Sequence, residues 1–134
     1  MKRFILSAST KRPMLSMKSY KGSMLKKVSF YVTGNVQGAM FRQTFIRGAQ
    51  KRKIKGGATN DSKNHHLVHC SLEGEESVVE EMINKLREEK PLNSWNAQVN
   101  ELHFYDHFIE FSDHQVTTDN VNDYNWSPDV DFYL

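Results

Sequence analysis

Within nine residues, Gly34-Asn35-Val36-Gln37-Gly38-Ala39-Met40-Phe41-Arg42 combines two glycines, two carboxamides and a permanent cation. The stretch sits between an alternating run and an amphipathic one. Glycines let the backbone turn tightly and come close to a ligand. The residues that follow open a helix, whose first amide N–H groups lack internal acceptors and carry partial positive charge. Such a cradle of main-chain donors, with the planar fork of Arg42 beside it, suits a phosphate held at a strand-to-helix turn. It is neither a Walker loop, since no Gly-Lys-Ser/Thr follows, nor a dinucleotide fingerprint, whose glycine spacing and downstream acidic residue are missing.

The elements that must hold this turn are legible in the periodicity. Val28, Phe30 and Val32 alternate with Ser29, Tyr31 and Thr33, as in a half-buried strand. Met40, Phe41, Phe45, Ile46 and Ala49 recur at helical spacing and predict a helix over about 39–53. Gly56-Gly57 breaks it, and a second strand over about 54–60 runs into the polar turn Asn60-Asp61-Ser62-Lys63-Asn64. Val68, Cys70 and Leu72 alternate with Leu67, His69 and Ser71, so a third strand returns as a hairpin. Val78, Val79, Met82, Ile83 and Leu86 mark a second helix, closed by Lys85, Arg87, Lys90 and Pro91. Strand-like segments follow at about 97–104 and 107–111. The order β-α-β-β-α-β predicts an α+β fold, the ferredoxin-like split βαβ sandwich, with a four- to five-stranded antiparallel sheet and two helices on one face.

A chain of 134 residues supports one domain with a single core. Its net charge of +2 hides a lopsided distribution. Residues 1–27 hold eight Lys or Arg and no acid, whereas 112–134 hold five Asp and no Lys or Arg. The expected organisation is a basic N-terminal extension over 1–26, disordered or targeting, a domain over 27–112 and an acidic C-terminal tail over 113–134. Tyr124, Trp126, Phe132 and Tyr133 give that tail more aromatic character than pure disorder requires, so it either packs back on the domain or engages a partner. The expected compartment is the cytoplasm, or the mitochondrion if the basic, acid-free N-terminus is a transit sequence. No apolar run approaches the roughly 18 residues of a membrane span. The single Cys70 excludes an internal disulfide and reads as a small buried hydrophobe.

With the order of elements in place, the chain resembles the acylphosphatase family over about 26–112. The first resemblance is Gly34-Asn35-Val36-Gln37-Gly38-Ala39-Met40-Phe41-Arg42; the second is Gly56-Gly57-Ala58-Thr59-Asn60, followed after a hairpin by Leu72-Glu73-Gly74. The resemblance implies hydrolysis of acyl phosphates without metal or cofactor, by a monomer that binds a small-molecule substrate and no nucleic acid. Main-chain amides of Asn35, Val36, Gln37, Gly38, Ala39, Met40 and Phe41 would hold the phosphoryl oxygens, and Arg42 would pair with one edge. Asn60 alone reads equally as a turn residue; the resemblance implies that its carboxamide orients the attacking water. Gln37 is expected to shape the loop with its side chain rather than to react.

Two departures from the family pattern stand out. Gly57 falls where the family usually carries a large aromatic residue, and Phe104, Tyr105 or Trp126 are candidates to fill that space. The Asp61–His66 hairpin is one residue longer than usual, with Asn64 near the expected glycine. A metal reading of His65, His66, His69 and Cys70 fails on alternation, which sends His69 and Cys70 to opposite faces. Arg47, Lys51 and Lys55 are expected to line one face of the first helix, as a solvated or substrate-steering stripe. Two alternatives share the topology: an anion-binding relic without turnover, and an RNA-recognition module. The latter needs stacking aromatics on the exposed central strands, which residues 66–72 do not supply.

Overall fold

Strand β1 (Leu25–Asn35) and strand β3 (Leu67–Glu75) form the antiparallel centre of the sheet, in a register that sets Phe30 opposite Cys70 and Val32 opposite Val68. These side chains point to one face and are fully buried, as the period of two requires. The computed structural model describes residues 24–134; the basic stretch up to residue 23 lies outside the described residues. β1 begins at Leu25, so Leu25 and Lys26 belong to the sheet and not to the preceding extension.

Strand β2 (Lys55–Asn60) pairs with β3, and strand β4 (Gln98–Phe104) pairs with the other edge of β1. A short strand β5 (Val116–Thr117) adds to β2, giving five strands in the order β4-β1-β3-β2-β5. Helix α1 (Phe41–Lys51) and helix α2 (Glu76–Glu88) lie on the face that Phe30, Val32, Cys70 and Leu72 present. α1 buries Phe41, Phe45 and Ala49, at i, i+4 and i+8. α2 buries Val79, Met82, Ile83 and Leu86. Phe45 packs edge-on to Phe30 at 6.1 Å between ring centres, and its truncation to Ala is expected to cost about 3–5 kcal/mol. Cys70 is fully buried in this core, and desolvation holds its thiol well above the ordinary range.

The predicted strand at 107–111 is absent, and β5 occupies the fifth position instead. The reason is topological. β4 and β5 are opposite edges, so residues 105–115 must cross the helix-free face of the whole sheet. The residues beneath that crossing are small: Ser29 on β1, Ser71 on β3, and Gly57 with Thr59 on β2. Ile109 is tied down there, its N–H donating to Ser29 Oγ at 2.8 Å and its carbonyl accepting from Ser71 Oγ at 2.8 Å.

Residues 113–134, expected as an acidic tail, pack back on the domain. Val116, Val121 and Leu134 are buried, and Phe132 bridges to Asn93. The expected basic stripe on α1 is likewise engaged. Arg47 donates to Asn122 and Gln50, Lys51 to the Leu134 carbonyl, and Lys55 lies on β2 because α1 ends at Lys51. Among the described residues, no helix is long and apolar enough to cross a membrane.

Candidate active site

The turn from β1 into α1 carries left-handed backbone at Gly38 (φ 76°) and at Met40 (φ 58°). Left-handed residues interleaved in a turn curl main-chain N–H groups towards a shared concavity that suits an anion. Met40 is not glycine, and such a conformation costs on the order of 1–3 kcal/mol. Its carbonyl accepts from Thr44 N–H at 3.1 Å and Thr44 Oγ1 at 2.8 Å, which ties the strained residue to the first turn of α1. No main-chain N–H of residues 36–40 donates a hydrogen bond within the described residues. The donors of the cradle are uncommitted.

The concavity is a cavity of about 110 Å³. Val36, Gln37, Gly38, Met40 and Phe41 line it from the turn, with Arg42 from α1, Asn60 from the end of β2 and Trp126 from the C-terminal stretch. Residues eighteen positions apart in sequence, Arg42 and Asn60, thus meet at one site. Asn35 and Ala39, expected among the cradle residues, are not among the residues that line it. Asn35 pairs with Gln98 in the sheet and donates through Nδ2 to the Asn96 carbonyl at 2.7 Å. Ala39 is buried, and its carbonyl accepts from Asn93 Nδ2 at 2.8 Å.

Arg42 is half-buried, and desolvation pulls its guanidinium below the ordinary value, with Tyr124 acting in the opposite sense. A guanidinium remains charged at neutral pH. Its Nη1 donates to Gln115 Oε1 at 2.9 Å, and its fork lies 5.9 Å from the Trp126 ring centre. Asn60 donates its main-chain N–H to the same Gln115 oxygen at 2.9 Å. The Asn60 side-chain oxygen is buried and accepts no hydrogen bond within the described residues. A buried carboxamide oxygen without a partner costs free energy unless a water or ligand donates to it.

Two side chains fix the hairpin that carries Asn60. Gln37 Nε2 reaches three main-chain carbonyls, those of Asp61 at 3.1 Å, Asn64 at 3.1 Å and Leu67 at 2.8 Å, so its side chain shapes the loop as expected. Asp61 Oδ2 accepts from the N–H groups of Lys63 and Asn64, and Oδ1 pairs with His69 Nε2 at 2.9 Å. These hydrogen bonds lower the Asp61 carboxyl to about 2. His69 Nδ1 in turn accepts from the Tyr105 hydroxyl at 2.7 Å. His69 and Cys70 do point to opposite faces, and among the described residues no cluster of His, Cys, Asp or Glu could hold a metal ion.

The space left by Gly57 is filled by neither Phe104, Tyr105 nor Trp126. His114 and Phe111 of the crossing segment occupy it: a Cβ on Gly57 would stand 2.6 Å from His114 Cδ2 and 3.1 Å from Phe111 Cδ1. His114 is 8 % exposed and wedged between Ser71 Oγ (2.7 Å from Nε2) and Thr59 Oγ1 (2.8 Å from Nδ1). One neutral tautomer satisfies the whole set, with Nε2–H donating to Ser71 and Nδ1 accepting from Thr59. Burial chiefly, with the nearby His69, lowers the His114 pKa to about 4, against a smaller opposing effect of Asp113. Thr59 Oγ1 also accepts the Gln115 N–H at 3.0 Å. A continuous chain of hydrogen bonds therefore runs from the sheet face to the residue that links Arg42 and Asn60.

Gln115 escapes sequence reasoning, since a lone glutamine in a polar stretch has no spacing to mark it. Trp126 carries a weak signal, an aromatic residue in an acidic segment.

An acylphosphatase family model matches residues 28–115. Among solved structures, the chain is similar to an acylphosphatase from Bacillus subtilis, at 26% identity over 61% of this chain and 83% of that one, with a TM-score of 0.50. An acylphosphatase from Coxiella burnetii shares the fold at 24% identity, covering 64% of this chain and 84% of that one (TM-score 0.52). Full-length HypF in its phosphate- and nucleotide-bound form shares it at 23% identity, over 72% of this chain and 12% of that one (TM-score 0.51). No curated protein matches the chain. The strand-turn-helix cradle, the sheet order and the family match agree, and the chain belongs to the acylphosphatase family.

Proposed function

We propose that this protein hydrolyses the carboxyl–phosphate bond of small acyl phosphates, releasing a carboxylate and inorganic phosphate. The observation that carries the reading is that Asn60, whose side-chain oxygen is buried and unpartnered, lines the same small cavity as Arg42 and the turn with its free amides. The amides and the guanidinium are donors that suit phosphoryl oxygens, and a carboxamide oxygen is an acceptor that suits a water.

In the proposed reaction the amides and Arg42 bind the phosphoryl oxygens and stabilise the charge that spreads over them in a loose transition state. Asn60 Oδ1 accepts one hydrogen of the water and aims its oxygen at phosphorus. The new P–O bond forms as the bond from phosphorus to the acyl oxygen breaks, and the electron pair leaves with the carboxylate. A neutral carboxamide is a poor base, so the water proton passes to the phosphate oxygens. A carboxylate is a good leaving group, and positioning with charge stabilisation suffices.

The test is hydrolysis of benzoyl phosphate at neutral pH with chelator present. Arg42→Ala and Asn60→Ala are each expected to lose at least about a hundredfold in kcat. A folded wild-type protein that binds inorganic phosphate but turns over no acyl phosphate would mark an anion-binding module instead.

A further inference from the structure

The family match ends at residue 115, yet the chain beyond it is built into the rim of the site. That segment is held at both ends. Near the site, the Tyr124 hydroxyl donates to the Gln115 carbonyl at 2.5 Å and Trp126 Nε1 donates to the Val121 carbonyl at 2.7 Å. At its far end, Asp131 exchanges two hydrogen bonds with Ser94, Tyr133 N–H donates to the Leu92 carbonyl, and the Leu134 side chain seats against Gly48. Trp126 is thus fixed beside Arg42 before any substrate arrives, and a preorganised wall spends little binding energy on ordering.

The cavity of about 110 Å³ equals on the order of three to four water volumes. That is room for a phosphoryl group and its water, and the acyl group must project through the mouth. Of the apolar residues lining the cavity, Val36 and Phe41 are committed to the core, at 1% exposure each. Met40 and Trp126 remain partly exposed and form the apolar surface that an emerging acyl group meets. The exposed Tyr124 ring lies 5.4 Å from Trp126 and extends that surface outwards.

We infer that Trp126 is a specificity-determining residue, and that the preferred substrates are acyl phosphates with a flat, uncharged acyl group that stacks on its indole. This inference rests on the proposed hydrolysis of acyl phosphates at the Arg42–Asn60 site. Offset stacking of two aromatic groups supports a discrimination of about three- to tenfold.

The experiment compares wild type, Trp126→Ala and Trp126→Leu in two ways. Calorimetry measures the affinities of benzylphosphonate and methylphosphonate, neither of which can be hydrolysed; kinetics measures kcat/KM for benzoyl and acetyl phosphate. Wild type is expected to bind benzylphosphonate about three- to tenfold more tightly than methylphosphonate, with both variants losing that ratio and the benzoyl-to-acetyl ratio of kcat/KM falling in step. Trp126→Leu keeps apolar bulk and guards against a folding defect in the Ala variant. Equal affinities in wild type, or an undiminished ratio in the Leu variant, would overturn the inference. Wild type that discriminates between the phosphonates but hydrolyses neither acyl phosphate would sink the hydrolase reading alone.

Discussion

Gln115 Oε1 lies 2.9 Å from Arg42 Nη1 and accepts the Asn60 main-chain N–H at the same distance, so one side-chain oxygen couples the two residues proposed to carry the reaction. Arg42 has further N–H donors free for phosphate, which makes Gln115 a positioning residue rather than a competitor. A hydrogen bond to a charged group at a partly exposed site contributes about 1–2 kcal/mol. Gln115→Ala is therefore expected to lower kcat/KM for benzoyl phosphate about five- to thirtyfold. Gln115→Glu keeps the geometry but sets a carboxylate against the incoming dianion, and its defect should appear mainly in KM. Steady-state kinetics on the pair checks this; an Ala variant with wild-type constants would remove Gln115 from the site.

Gln37 and Asn60 are coupled through the hairpin. The Gln37 amide is the one side chain of the turn that reaches Asp61, Asn64 and Leu67 together. Its removal leaves the Asp61 carbonyl to water, while those of Asn64 and Leu67 keep the N–H groups of Leu67 and Asp61, at a cost of about 1–2 kcal/mol. The larger effect is expected in rate, since a displacement of about 1 Å at Asn60 can cost on the order of a hundredfold. Urea unfolding and kcat, measured on Gln37→Ala, separate the two. Reduced stability with intact kcat would show that His69 and Asp61 alone keep the hairpin in place.

The parts of this fold that local chemistry determines were legible in the sequence. Alternation at Val28–Thr33 and helical spacing at Phe41–Ala49 each report a single buried face, and both elements form where that pattern lies. The cradle was legible because glycines and a first-turn cation have few other uses together. What the sequence hid depends on crossing connections. Residues 107–111 look strand-like because Phe108 and Ile109 are apolar, yet they face the sheet as a crossing segment and pair with no strand. Gly57 looked like a missing wall, but it is small because His114 lies over it. Gln115 and Trp126 reach the site only after that crossing, so no local pattern announces them.

The Gly57–His114 contact predicts a coupling. A methyl group on Gly57 would enter the imidazole ring, whose position is fixed by Ser71 and Thr59. Overpacking of this kind costs typically 1–3 kcal/mol, and Gly57→Ala is expected to fall in that range. In a His114→Ala background the same substitution meets only the looser 3.1 Å contact with Phe111 Cδ1 and should cost at least about 1 kcal/mol less. Chemical denaturation of the two single variants and the double variant gives the interaction energy. Additive effects would show that the ring is not what keeps position 57 small.

His114 also sets a pH dependence of stability. Its pKa is about 4 in the folded protein against an ordinary value of 6.5, so between those values the unfolded chain binds a proton that the folded chain does not. Stability from this group is fully present above about 6.5 and is lost as pH falls towards 4, with a slope of at most about 1.4 kcal/mol per pH unit. Asp61, lowered from 3.8 to about 2, acts in the same direction but only below that window. His114→Gln removes the titrating group while its amide can still serve Ser71 or Thr59. Urea unfolding between pH 7 and pH 4.5 should show wild type losing stability steadily while the variant stays flatter across the same range. Parallel curves would mean that His114 protonates in the folded protein as readily as in the unfolded chain. In that case the neutral tautomer would not be what holds Thr59, and through it Gln115, against the site.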